Sequence, residues 1–134
     1  MALHFLGDEL WFPDVEEALP DGLLAAGGSL STERILLAYK NGIFPWFSNE
    51  DPPLWWSPDP RFVLFPDDLK VSKSMRQVMG RKEFEFKVNT DFEAVISNCR
   101  YAKRKGEVGT WITNEVETAY TELHIAGIAH SAEA

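Results

Sequence analysis

The 134-residue chain is 45% hydrophobic and 13% aromatic, too apolar for a disordered tail and enough for one packed domain burying roughly two thirds of its unfolded surface. A single cysteine, Cys99, excludes an intramolecular disulfide and a CxxC zinc site. The net charge of −8 is uneven: residues 1–60 carry −8, residues 61–106 carry +5 and residues 107–134 carry −5, so the acidic total does not exclude a polyanion ligand.

Met1 to Trp11 lacks a basic n-region, and Asp8 and Glu9 interrupt its apolar residues, so no signal peptide is read there. No apolar run approaches the ~20 residues of a membrane span. The expectation is a reduced, soluble, cytoplasmic protein. Residues 13–30 read as turns around an apolar contact, from Pro13-Asp14 through Pro20-Asp21-Gly22 to Leu23-Leu24-Ala25-Ala26-Gly27-Gly28. Ser31 is a helix N-cap, with Glu33 in the first turn and Ile35, Leu36 and Tyr39 at helical spacing. Asn41-Gly42 closes that helix, glycine supplying the left-handed residue.

From Gly42 to Arg61 the chain packs three of its five tryptophans and five of its eight prolines into twenty residues. Proline lacks the amide donor and fixes φ, so this stretch is expected to be neither regular helix nor central strand. An ordered loop presenting aromatic faces is the reading, and such loops recognise flat ligands. Adjacent Trp55 and Trp56 cannot both point inward if extended, and packing is the expected role of that pair.

Beyond Arg61, Phe62-Val63-Leu64-Phe65 reads as a short apolar strand ended by Pro66-Asp67-Asp68. Ser72 caps a helix with Met75, Val78 and Met79 on one face, stopped near Gly80. Phe84 to Asn89 alternates as a half-buried strand. Thr90 and Glu93 have capping-box spacing before a helix whose Phe92, Val95, Ile96 and Cys99 face inward. Tyr101 to Gly109 is a charged loop, Thr113 starts a helix through Val116, Tyr120 and Leu123 to Gly127, and Ile128 to Ala134 reads as a strand. The charge break near residue 60 suggests a boundary between residues 1–60 and 61–134.

Two constellations point to chemistry. Trp46 on the proline loop and Trp111 after Gly109-Thr110 are candidates to sandwich a base, stacking worth roughly 1–3 kcal/mol, although by residue type alone packing in the core or of the loop on its own domain is the favoured role for each. Lys70, Lys73, Arg76, Arg81 and Lys82 crowd one helix, and Arg100, Lys103, Arg104 and Lys105 one loop. Such groups contact phosphates without reading sequence, or form an ordinary solvated surface. His4, His124 and His130 lack metal-ligand spacing. Gly27-Gly28-Ser29 before a helix is a weak anion cradle without a Walker lysine. No nucleophile–base pair can be placed by spacing.

Leu23 to Ser31, Ala38 to Phe47 (Ala-Tyr-Lys-Asn-Gly-Ile-Phe-Pro-Trp-Phe) and Leu54 to Arg61 (Leu-Trp-Trp-Ser-Pro-Asp-Pro-Arg) closely resemble bacterial leucyl/phenylalanyl-tRNA–protein transferases. Gly109 to Thr113, Ala119 to His124, Gly127 and His130-Ser131 continue the pattern in register, so the likeness runs from about Phe12 to the last residue. The resemblance implies an α+β fold: a small N-terminal α/β domain followed by the first part of an acetyltransferase-like mixed-sheet domain. It implies transfer of Leu or Phe, and less readily Met, from aminoacyl-tRNA to proteins with N-terminal Arg or Lys, marking them for degradation.

It also implies that Trp46 and Trp111 hold the tRNA terminal adenosine. The basic helix with Lys73, Arg76, Arg81 and Lys82 becomes a path for the acceptor stem. No cofactor and no metal are implied, and a monomer is expected. Family members continue past the position matching Ala134, and those later parts carry the acidic and amide groups near the reacting centre. The chain is therefore expected to keep the adenosine clamp and lack much of the catalytic centre. A non-catalytic module for the aminoacylated tRNA end is the alternative, and an unstable remnant is the third reading.

Overall fold

A computed structural model describes residues 2–106 and 109–134. Its architecture is α+β, as expected, with a four-stranded mixed sheet, four α-helices and a separate two-stranded sheet among the described residues. The first strands are β1 (His4–Leu6) and β2 (Leu23–Gly27), followed by helix α1 (Thr32–Lys40) and strands β3 (Phe44–Pro45) and β4 (Leu54–Trp56). The sheet order is β1-β2-β4-β3, with β1 parallel to β2 and the other pairs antiparallel.

Two readings are corrected here. Residues 23–27 are a strand rather than turns, because Leu24 and Ala25 are fully buried and the backbone must then satisfy its polar groups in a ladder. Within the proline-rich stretch, Leu54–Trp56 is an interior strand. Pro52, Pro53 and Pro58 flank it and leave its own amides free to pair, while Pro45 sits in β3 at the sheet edge, where a missing donor costs least. Trp55 is fully buried, and its Nε1 donates to the Gly27 carbonyl at 2.9 Å. Neighbouring Trp56 is half-buried, as the alternation of a strand requires.

Close approach explains Gly27. Its φ is +94°, and a Cβ there would lie 2.8 Å from the Leu6 carbonyl oxygen, where β1 pairs with β2. Helix α1 begins as read, with the Ser31 hydroxyl accepting from the Arg34 amide, and closes at Asn41 before Gly42 at φ +72°.

The second half supplies helices α2 (Lys73–Arg81), α3 (Phe92–Tyr101) and α4 (Asn114–Ile125), with short strands β5 (Lys87–Val88) and β6 (Ala132–Glu133) paired antiparallel. Ser72 caps α2 as read, and Thr113, read as the start of the last helix, is the cap of α4. The core joins β2, β4, α1 and α4 through Leu24, Trp55, Ile35, Ala38, Val116 and Leu123. Phe92 at the start of α3 stacks on His124 of α4, with ring centroids 4.3 Å apart and ring planes nearly parallel.

Several expectations in this half fail. Phe62–Phe65 is irregular and exposed rather than a strand, and of residues 84–89 only Lys87–Val88 is strand, with every side chain there exposed. Alternating apolar residues make a half-buried strand only when a sheet covers one face, and none does here. Cys99, expected in the core, is exposed. Asp91, not Thr90, caps α3, accepting from the Ala94 amide at 3.3 Å. The last strand shrinks to Ala132–Glu133. Part of the expected 101–109 loop, residues 107 and 108, lies outside the described residues.

Candidate nucleotide-binding cleft

An open cleft of about 1060 Å³ is lined by Trp46, Trp56, Trp111, Tyr39, Asp51 and Arg104, among others. Local sequence builds each wall. The Trp46 amide donates to the Leu54 carbonyl at 3.0 Å and extends the β3–β4 pairing, so the chain enters the hairpin turn with the indole outside the core. Trp46 is 55% exposed, and its carbonyl accepts from Trp56 Nε1 at 2.7 Å, with the two rings tilted and 6.1 Å apart. The turn itself is tied by Ser48, whose hydroxyl donates to the Asp51 carboxylate at 2.7 Å.

Trp111 stands just before α4. Thr110 Oγ1 accepts from the Ile112 amide at 3.1 Å, and the Trp111 carbonyl accepts from the Thr113 amide at 3.1 Å. Its ring meets Tyr120 edge-on at 6.0 Å. Tyr120 in turn shares a 2.6 Å hydroxyl–hydroxyl bond with Tyr39 at the end of α1. Burial, and then that bond, push the Tyr120 phenol well above its ordinary ionisation range, so it stays neutral and able to donate. Two indoles from segments 65 residues apart in sequence therefore line one aromatic cleft, each held by hydrogen bonds or ring contacts.

A model of leucyl/phenylalanyl-tRNA protein transferase matches residues 63–134, more than half of the chain, and the model of that enzyme's N-terminal domain matches residues 28–59. The chain belongs to the leucyl/phenylalanyl-tRNA–protein transferase family. It is 54% identical over 131 residues to the leucyl/phenylalanyl-tRNA–protein transferase of Flavobacterium johnsoniae, covering 98% of this chain and 62% of that one. The Syntrophus aciditrophicus transferase is 52% identical over 128 residues, or 96% of this chain and 54% of the relative. The Myxococcus xanthus transferase is 51% identical over 136 residues, or 100% of this chain and 58% of the relative. The chain thus spans little more than half the length of the transferases it matches.

The cleft does not gather every residue singled out by sequence. Lys73, Arg76 and Arg81 lie on α2, and Lys82 is its left-handed cap at φ 54°. None of these four lines the cleft, and Arg81 reaches Glu83 at 3.4 Å. Arg104, from the second basic run, does line it. Tyr39 and Tyr120 escaped notice as site residues because helical spacing assigns both to an inward face. Tyr39 lines the cleft and Tyr120 supports Tyr39 and Trp111 beside it, an arrangement that depends on α1 and α4 meeting in space. At the Gly-Gly-Ser turn, Gly28, at φ +75°, makes room for the Arg34 guanidinium, whose carbon lies 2.9 Å from where a Cβ would sit. Among the described residues no group of three His, Cys, Asp or Glu side chains could hold a metal, and no helix is long and apolar enough to cross a membrane.

Proposed function

We propose that this chain contributes the tRNA-end clamp of an aminoacyl transfer reaction. Leu or Phe, and less readily Met, moves from aminoacyl-tRNA to the N-terminal Arg or Lys of an acceptor protein, a step that commits the acceptor to degradation in the cytoplasm. The cleft lined by both Trp46 and Trp111, in a member of this family, supports the reading most directly. The adenine of the tRNA terminus stacks between the two indoles, and an exposed Trp46 leaves one ring face open for it. Lys73, Arg76, Arg81 and Lys82 then meet acceptor-stem phosphates outside the cleft, an assignment supported by the local positive charge of residues 61–106. The division at residue 60 separates the part that carries Trp46 from the part that carries Trp111, and the two matched family segments meet near it.

The reaction is aminolysis. The neutral α-amine of the acceptor attacks the ester carbonyl, a C–N bond forms as the bond to the ribose oxygen breaks, and the amine proton passes by way of a base to that oxygen. Holding the adenosine fixes the ester carbon, and positioning of an already activated ester contributes much of the acceleration. Trp46→Ala should weaken binding of a phenylalanyl-adenosine analogue about 5- to 150-fold, the loss of one stacking contact. Titration calorimetry of the folded variant measures it, and unchanged affinity would overturn the clamp. Transfer of labelled phenylalanine from Phe-tRNA to an arginine-starting peptide then separates the two roles. Product from this chain alone places the chemistry within it, whereas analogue binding without product leaves it as the binding module.

A further inference from the structure

The cleft between Trp46 and Trp111 offers more than aromatic faces. Of the charged side chains among the described residues, Asp51 and Arg104 alone line it, one of each sign. Asp51 is committed to the turn beside Trp46, where its Oδ2 accepts from the Ser48 hydroxyl at 2.7 Å. Other polar groups of the wall are engaged as well. Trp56 Nε1 donates to the Trp46 carbonyl, the Tyr39 hydroxyl is shared with Tyr120, and Thr110 Oγ1 accepts from the Ile112 amide. A negative group entering the cleft therefore meets one full positive charge among the lining residues, the Arg104 guanidinium. Arg104 stands seven residues before Trp111, and residues 100–106 hold four bases and no acid. Arg100 is neutralised by Glu117 at 2.9 Å, so the positive excess is concentrated at residues 103–105.

Stacking between two indoles uses the flat faces of adenine and leaves a cation in the same cleft without a purpose. In the last nucleotide of an RNA strand the nearest negative group is the phosphodiester on the 5′ oxygen. We infer that Arg104 holds the phosphate on the 5′ side of the clamped adenosine, which makes the cleft a site for a nucleotide rather than a nucleoside. The inference rests on the adenine-clamp reading and adds to it a phosphate subsite and the residue that makes it. Arginine suits the task, because a planar guanidinium presents its N–H donors in a fork that matches two phosphate oxygens. Arg104 already makes a contact within the chain, and five N–H donors serve that contact and a phosphate together. The subsite is distinct from the bases of α2, none of which lines the cleft. Its consequence is selectivity: free adenosine forgoes the ion pair, whereas an RNA end keeps it.

The test titrates the 134-residue chain with two probes, adenosine and the methyl ester of adenosine 5′-phosphate, at low and at high salt. The ester carries the single negative charge of an RNA linkage. At low salt it should bind at least about tenfold tighter than adenosine, and the advantage should shrink as salt screens the pair. Arg104→Gln, checked for folding by its melting curve, should bind both probes alike, with adenosine affinity unchanged. Trp46→Ala should weaken both probes together. Equal binding of the two probes by the unmodified chain would overturn the phosphate subsite and leave the clamp standing. Binding of neither probe would overturn the clamp and the subsite with it. If Arg104→Gln weakens adenosine as much as the ester, Arg104 meets the base and the inference is wrong. If the variant keeps the preference for the ester, another cation holds the phosphate and the assignment is equally wrong.

Discussion

Arg34 is the residue whose role is least visible in composition. It is 2% exposed with no carboxylate against it among the described residues, and its Nη2 donates to the carbonyls of Gly7 at 2.8 Å and Glu9 at 3.1 Å. Those bonds tie the segment after β1 to α1. Arg34→Ala should therefore lower unfolding free energy by about 2–3 kcal/mol, since two carbonyls lose a charged donor and a cavity opens; urea denaturation checks it. Tyr120 supports a pH prediction. Its phenol is raised in the folded state, so the folded chain holds a proton that the unfolded chain releases above about pH 10. Stability should be fully present below that value and decline as pH rises beyond it, and Tyr120→Phe should flatten the decline. A helix spacing shows that Tyr39 and Tyr120 are helical; it does not show that they share a hydrogen bond, because that needs α1 and α4 in register across 81 residues.

Elements differ sharply in how much holds them. Strand β4 places Trp55 in the core with its indole donor satisfied, so Trp55→Ala should cost about 3–5 kcal/mol and leave little folded protein at 37 °C. Helix α2 has a good N-cap but no buried residue, and a nine-residue helix is marginal without packing. Its amides should exchange orders of magnitude faster than those of α4 in the isolated chain, as mass spectrometry after brief deuteration would record. Glu133 ties β6 to the start of α3. One carboxylate oxygen accepts from the Ser131 hydroxyl at 2.6 Å and the Asp91 amide at 3.1 Å, and the Ser131 bond is the main reason its acidity is increased. With a depressed carboxyl in the folded state, the stabilisation from this tie is fully present above the ordinary glutamate value of about 4.3 and is lost as pH falls through the lower folded-state value.

For the whole molecule, the charge distribution matters more than the total. If the basic helix meets phosphates, replacing Lys73 and Arg76 by glutamine should weaken tRNA binding evenly across sequences and reduce the salt slope by about two. Binding of the small adenosine analogue should not change, because neither side chain lines the cleft. One core serves both halves of the chain: α4, from the second half, completes the packing of the sheet and α1 from the first. Any division near residue 60 therefore leaves α4 on the far side of a shared interior.

Local order explains what was legible from the residues alone. Caps at Ser31 and Ser72, the helix start at Thr113 and the stop at Asn41-Gly42 follow from short-range hydrogen bonding and periodicity, which need only neighbours in sequence, whereas the α+β class followed from the family resemblance. The proline–tryptophan string and the motifs around Trp111 likewise identify the family without a structure. Tertiary structure alone decided that Leu54–Trp56 is an interior strand, that Cys99 faces solvent and that Phe62–Phe65 and Phe84–Phe86 form no strand. A strand exists only with its hydrogen-bonding partner, and burial only with a covering layer. Both are supplied by distant segments that no local pattern can name.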